Sequence, residues 1–150
     1  MPGRRKQPVA PPSAFDVDAA VDELYVTDPD AFVSRRSELA GEAKAAGDAA
    51  GARRLRGLRR PTLAAWASNL LVRDDPDQVR QFRELGESLR AAHRTLDREQ
   101  MRDLSTQQGR VITALAGQAA RLAAAAGHRI SDSAQQEVAT TLRAAQPTRT

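Results

Sequence analysis

Apolar residues recur at intervals of three and four along most of the chain, the spacing that places side chains on one face of an α-helix. Between 76 and about 95 the apolar positions are Val79, Phe82, Leu85, Leu89, Ala92 and Leu96. From 98 to 126 they are Met101, Leu104, Val111, Ile112, Leu115, Ala119, Leu122 and Ala126. The second pattern predicts one long helix of about 44 Å, at roughly 1.5 Å per residue.

Short polar side chains and glycines mark where these helical patterns begin and end. Four aspartates are predicted N-caps: Asp28, Asp48, Asp75 and Asp97. Gly47 and Gly127 end two of the patterns, as glycine does past a helix C-terminus. Ser133 and Gln136 form a capping-box pattern that predicts a last helix to about Ala145.

These patterns predict an all-α protein, a compact bundle of five to six helices with one long helix at about 98–126. A chain of 150 residues with 3% aromatic residues is long enough for one helical core. We expect a disordered basic tail at 1–12, because that stretch has four prolines and no periodicity. A single helical domain is predicted for 13–146, and 147–150 is predicted to be a tail or a truncation point.

The segment 62–72, TLAAWASNLLV, carries no charge, so we expect both faces of its helix to be covered. Trp66, the one tryptophan, is predicted to anchor the core, although a tryptophan can also stack on a nucleic-acid base. Asn69 would then be a buried polar group that needs a partner, and Arg36 is the candidate. Trp66, Asn69, Arg36 and Phe32 are therefore assigned to the structural core.

Charge changes this picture, because it is unevenly distributed within a net charge of +4. Residues 13–31 hold six acids and no base, whereas 49–73 hold six arginines and no acid. Five of these arginines fall within eight positions: Arg53, Arg54, Arg56, Arg59 and Arg60. A concentrated positive face attracts nucleic acid or an acidic protein, and the acidic segment can pair with it inside the fold or across a dimer. Against a functional role, only Lys6 and Lys44 are lysines among 23 basic residues, which is typical of a high-GC genome.

The course of the chain at Pro61 decides how the arginines are displayed. On a helix, Arg53, Arg56 and Arg60 share one face with Arg59 beside them, while Leu55 and Leu58 point toward the core. If the chain turns at Pro61, a new helix N-terminus follows and makes an anion site beside Arg59 and Arg60. If Pro61 only kinks a continuous helix, the arginines form a solvated basic face.

No catalytic or metal-binding signature stands out, so the protein is predicted not to be an enzyme and to need no cofactor or metal. Cysteine is absent, and His93 and His128 are the two histidines, without metal-ligand spacing. His93 lies beside an apolar stripe and is predicted to be a partly buried packing residue. No apolar stretch of about 18 residues occurs, so we expect no membrane partner and a cytoplasmic protein.

Four stretches of the chain together resemble one family. They are Phe32 and Arg36 with Leu39, the Gly-Asp pair at 47 and 48, the run LRRPTLAAWASNLLVR and the TLRAA at 141–145. Spanning roughly 24–145, they resemble an uncharacterised family of Ala/Arg-rich helical proteins from high-GC bacteria. In that family the segment usually heads a longer chain with a charged coiled coil. The resemblance implies an N-terminal helical module of bacterial origin that ends at a domain boundary, and it implies no activity.

Two functions remain open. The first is sequence-tolerant nucleic-acid binding, to the DNA backbone or another polyanion, by Arg53, Arg54, Arg56, Arg59 and Arg60, in the bacterial cytoplasm at the nucleoid. The second is a helical interaction module that docks another protein or forms a homo-oligomer through the long 98–126 helix.

Overall fold

The computed structural model describes residues 15–144, and all regular structure in this range is helical, which confirms the all-α class. Seven α-helices and one short 3-10 helix succeed one another, so the predicted number of five to six was too low. One reason lies at Pro61. The chain is non-helical between Arg56 and Leu63 instead of kinking there, because proline lacks an N–H and disfavours helical conformation in the preceding residue.

The chain forms two compact units that divide between Arg60 and Pro61. We refer to them as the first unit and the second unit. A single domain over 13–146 stays a prediction. The predicted tails at 1–12 and 147–150 lie outside the described residues.

The first unit contains three α-helices: α1 (Val17–Val26), α2 (Phe32–Ala45) and α3 (Ala49–Arg56), with a 3-10 turn at Pro29–Ala31 before α2. Helix α2 packs mainly on α3, and α1 packs on both. The core consists of Ala20, Val21, Leu24, Phe32, Leu39, Ala40, Ala43, Ala52 and Leu55. Alanines supply almost half of these positions, so the helices can approach one another closely.

Local polar contacts fix the ends of these helices. Asp28 and Asp48 act as the predicted N-caps, with their carboxylates accepting from the backbone N–H groups of Asp30 and Gly51. Asp16 caps α1 in the same way. Gly47 follows the end of α2 with a φ of 85°, the left-handed conformation that glycine tolerates best.

The second unit contains four α-helices: α4 (Leu63–Asp74), α5 (Pro76–Thr95), α6 (Arg98–Ala125) and α7 (Asp132–Ala144). Helix α6 packs on the other three, and α4 also packs on α7. The core consists of Ala64, Trp66, Ala67, Leu71, Val79, Phe82, Ile112, Leu115, Ala116, Ala119, Ala123, Ile130, Val138 and Leu142. With 28 residues, α6 is about 42 Å long and agrees with the predicted long helix.

The predicted N-caps Asp75 and Asp97 are present, but the capping box at Ser133 was wrong. The Ser131 hydroxyl accepts from the Ala134 N–H at 3.0 Å, so α7 begins two residues earlier than a cap at Ser133 requires. The sequence offers serine at both positions, and the capping-box spacing favoured the wrong one.

Burial corrects two further expectations. His93 is exposed, because it follows the buried Ala92 and stands about 100° further round α5. The uncharged segment 62–72 is covered only in part, since Leu63 and Val72 at either end are exposed. None of the described helices is both long and apolar enough to cross a membrane.

Candidate nucleic-acid interface

The arginine segment, residues 53–60, begins in the last turn of α3 and continues beyond it. Arg53, Arg54 and Arg56 belong to the helix, whereas Arg59 and Arg60 follow Gly57 in non-helical chain. The prediction of one helical face shared by Arg53, Arg56 and Arg60 was therefore wrong. Gly57 is a poor helix former and Pro61 cannot continue a helix, so the helix ends before Arg60. All five arginines are exposed.

Two leucines and one arginine hold this segment against the rest of the first unit. Leu55 is fully buried and Leu58 packs at the edge of the core, as their predicted inward orientation requires. The Arg36 guanidinium donates to the Leu58 carbonyl oxygen at 2.7 Å. It also lies 5.6 Å from the centre of the Phe32 ring, within the range of a cation–π contact. Arg36 and the buried Phe32 thereby fix the chain where it leaves α3.

One arginine of the segment is neutralised locally. The Arg54 Nη1 atom donates to Oδ1 of Asp18, on α1, at 2.8 Å. Within residues 15–144, no ion pair involves Arg53, Arg56, Arg59 or Arg60. Four exposed guanidinium groups are thus available to an external anion.

Another arginine of the first unit, Arg35 on α2, is held very differently. The Arg35 guanidinium contacts Glu23 at 2.5 Å, Glu38 at 2.9 Å and Glu42 at 3.6 Å. Hydrogen bonds to Glu23 and then to Glu38 raise the pKa of Arg35 further above its ordinary value. Three carboxylates surround this group, so Arg35 is not offered to a polyanion.

The N-terminus of α4, predicted as part of an anion site, is capped by its own side chain. The Thr62 hydroxyl accepts from the Ala65 N–H at 3.1 Å. One of the backbone donors that an anion would use is therefore already bonded. The participation of Arg59 and Arg60 in such a site stays a prediction.

Trp66 lies inside the second unit. It is 1% exposed and meets the His128 ring edge to face, with 5.2 Å between ring centres and 82° between planes. A ring so covered has no free face for base stacking, so Trp66 serves the core. Asn69 is half-buried, and its predicted pairing with Arg36 stays a prediction.

Sequence reasoning missed two residues that shape this site. Asp18 was one of six acids in an acidic stretch, and nothing in the pattern singled it out as the partner of Arg54. The second is Gly51, which lies inside α3, where a glycine ordinarily weakens a helix. A Cβ there would lie 2.5 Å from the Val17 side chain, so its absence lets α1 approach α3 closely.

The arrangement is suited to binding anions by charge. Guanidinium groups bind phosphate through paired N–H donors, and exposed ones can reach a ligand without rearrangement of the core. The resemblance to Ala/Arg-rich bacterial proteins stays a proposal. Comparisons with models of protein families, with curated proteins and with solved structures find no match for this chain.

Proposed function

We propose that the protein binds nucleic acid, with the DNA backbone as its partner, through the arginine segment. The observation that carries the proposal is the presence of four exposed arginines within eight residues that have no ion pair in the described range. Phosphate contacts of this kind supply sequence-independent affinity. The bacterial cytoplasm, at the nucleoid, is the location that such a function implies.

The distribution of side chains along α3 favours contacts to phosphates over contacts to bases. Recognition helices usually present base-contacting side chains from their N-terminal residues. In α3 those positions are Ala49, Ala50 and Gly51, which carry no hydrogen-bonding side chain, and the arginines come only in the last turn. The protein should therefore respond to charge and shape rather than to sequence.

A purely structural explanation accounts for only part of the segment. Cations in the last turn of a helix interact favourably with its dipole, which gives Arg53, Arg54 and Arg56 a stabilising role. Arg59 and Arg60 lie beyond α3 and gain little from that dipole. Their exposure without a carboxylate partner is what an external polyanion explains.

The test is a titration of a plain DNA duplex at several salt concentrations. The logarithm of the binding constant should fall linearly with the logarithm of salt concentration, as counterion release requires. Replacing Arg53, Arg56 and Arg60 by Gln should weaken binding to any duplex and reduce the slope by about one unit per lost contact. Circular dichroism should show that the variant stays helical.

A matched control removes the same charge elsewhere. Arg83, Arg94 and Arg102 are exposed arginines of α5 and α6, and their joint replacement by Gln should change binding far less. Absence of binding by the parent protein at low salt would refute the proposal. Equal losses in the two triple variants would refute the assignment to this segment.

One observation favours the alternative, a helical interaction or oligomerisation module. In the far part of the hairpin that α5 and α6 form, residues 87–107, only Ala92 is buried. Leu96 at its tip is 76% exposed, and Met101 and Leu104 are only half-buried. Acidic and basic residues are interspersed around this apolar strip, so a second copy of the same hairpin is the partner it suits.

Oligomeric state tests this alternative directly. Light scattering on a sizing column should give the mass of a dimer, and Leu96→Asp should convert the dimer to a monomer. Val33→Asp places the same charge at another exposed apolar position, on α2, and should leave the mass unchanged. A parent protein that is monomeric at high concentration would contradict the alternative.

A further inference from the structure

We infer that Asp18 is an internal competitor for phosphate at Arg54 and so limits the affinity of the arginine segment for polyanions. This inference rests on the proposed function and assigns to that site a residue outside the arginines themselves. The competing group is a carboxylate of the chain, on α1, that occupies a guanidinium donor on α3.

The contact is of a kind that an incoming phosphate can replace. Asp18 Oδ1 lies 2.8 Å from Arg54 Nη1, while the side chains stay 82% and 54% exposed. Exposed ion pairs are weak because water and salt screen them. A phosphate offers the same guanidinium more acceptor oxygens and releases counterions from the duplex on binding.

Close packing of α1 on α3 places the carboxylate at this distance. Gly51 on α3 faces the Val17 side chain, and the missing Cβ allows the approach. Asp18 is the next residue after Val17, in the first turn of α1, where Asp16 caps the helix by accepting from Ala19 at 3.0 Å. The position of the competing group is thus built into two helices and does not depend on a flexible loop.

The arginines of the first unit form a graded series. Arg35 is bound by three carboxylates, Arg54 by one, and Arg53 and Arg56 by none within the described residues. Among these four arginines, Arg54 is therefore the one whose availability depends on displacing a single exposed partner. Since an exposed pair of this kind is worth little, release of Arg54 should raise affinity by roughly two- to fivefold.

Two single substitutions separate this competition from a general change of charge. Asp18→Asn and Asp22→Asn each remove one negative charge from α1, and both aspartates are exposed. Asp22 makes no ion pair among residues 15–144. Titrations of the same DNA duplex at several salt concentrations give the affinity and the slope for each variant.

Asp18→Asn should raise affinity for the duplex roughly two- to fivefold more than Asp22→Asn does. In an Arg54→Gln background, Asp18→Asn should raise affinity no more than Asp22→Asn does. The difference between the two backgrounds then measures the coupling between Asp18 and Arg54. In the parent background, Arg54→Gln should cost less affinity than Arg56→Gln. Circular dichroism on each variant checks that α1 and α3 remain folded.

Three outcomes would overturn the inference. Equal gains in affinity from Asp18→Asn and Asp22→Asn would mean that only the overall charge of the protein matters. A gain in affinity from Asp18→Asn that persists in the Arg54→Gln background would mean the same. If the Asp18→Asn variant does not fold, the comparison of Arg54→Gln with Arg56→Gln still tests the inference. Equal losses of affinity in those two variants would overturn it. A parent that binds DNA while these comparisons fail refutes Asp18 alone, whereas a parent that does not bind refutes the proposed function as well.

Discussion

The two compact units differ in how charged side chains relate to their helices. In the first unit, two ion pairs join different helices, Glu23 of α1 with Arg35 of α2 and Asp18 of α1 with Arg54 of α3, although Arg35 also pairs with Glu38 and Glu42 within α2. In the second unit, by contrast, Asp77 and Arg80 pair within one helix, α5. Charge thus takes part in the tertiary contacts of the first unit, while the second depends on its apolar core.

The two cores also differ in the size of their buried side chains. The buried residues of the first core include one aromatic residue, Phe32, among small and medium aliphatic side chains. The second contains Trp66 and Phe82 together with Ile112 and Leu115. Truncating a core side chain should therefore lower the free energy of unfolding most in the second unit. Substitutions that change charge or close packing should have their effect in the first unit.

The largest expected effect is the loss of Trp66. Trp66→Ala should lower the free energy of unfolding by roughly 3 to 5 kcal/mol, enough to unfold a marginal domain. Denaturant titration followed by far-UV circular dichroism measures this, with Trp66→Phe as the milder control. In the parent, emission like that of free indole in water, with easy quenching by iodide, would contradict the buried position.

The next effect tests close packing in the first unit. Gly51→Ala should destabilise by about 1 to 3 kcal/mol, because the added methyl group meets Val17 and Asp48 and overpacks the contact. Gly41→Ala on α2 is the control, since no neighbouring atom lies within 4 Å of its Cβ. That substitution should stabilise by roughly 0.5 to 1 kcal/mol through helix propensity. If both substitutions stabilise, α1 and α3 are not closely packed.

The smallest effect distinguishes a structural arginine from a binding one. Arg36→Gln removes the hydrogen bond to the Leu58 carbonyl and the contact with Phe32, at a cost of about 1 to 2 kcal/mol. Thermal denaturation should show this loss, while affinity for a DNA duplex should change less than in the triple arginine variant. A variant with parental stability and much weaker binding would move Arg36 into the binding surface.

Much of the secondary structure could be predicted because its causes are local. Aspartate caps act on N–H groups two or three residues away, so Asp28, Asp48, Asp75 and Asp97 could be recognised from their neighbours alone. The length of α6 followed from periodicity for the same reason. The prediction for α7 failed because Ser133 has the capping-box partner Gln136, whereas Ser131, the serine that accepts from the Ala134 N–H, has no Glu or Gln three residues later.

The candidate site could be predicted only as a set of residues. The density of arginine between 53 and 60 was visible at once, but its display depends on where α3 ends. The partners Asp18 and Leu58 lie far along the chain from Arg54 and Arg36, and no short-range pattern connects them.

The amino-acid sequence by itself determined the helical class, most helix starts, the long helix and the concentration of positive charge, because capping, periodicity and composition act over a few residues. The tertiary structure alone decided which arginines are paired and which are exposed. It brought α1 against α3 at Gly51, and so set Asp18 on Arg54 while leaving Arg53 and Arg56 without a carboxylate among the described residues. Which arginines pair with a carboxylate depends on packing between helices. The missing Cβ of Gly51 allows the close approach that brings charges from distant parts of the chain into contact.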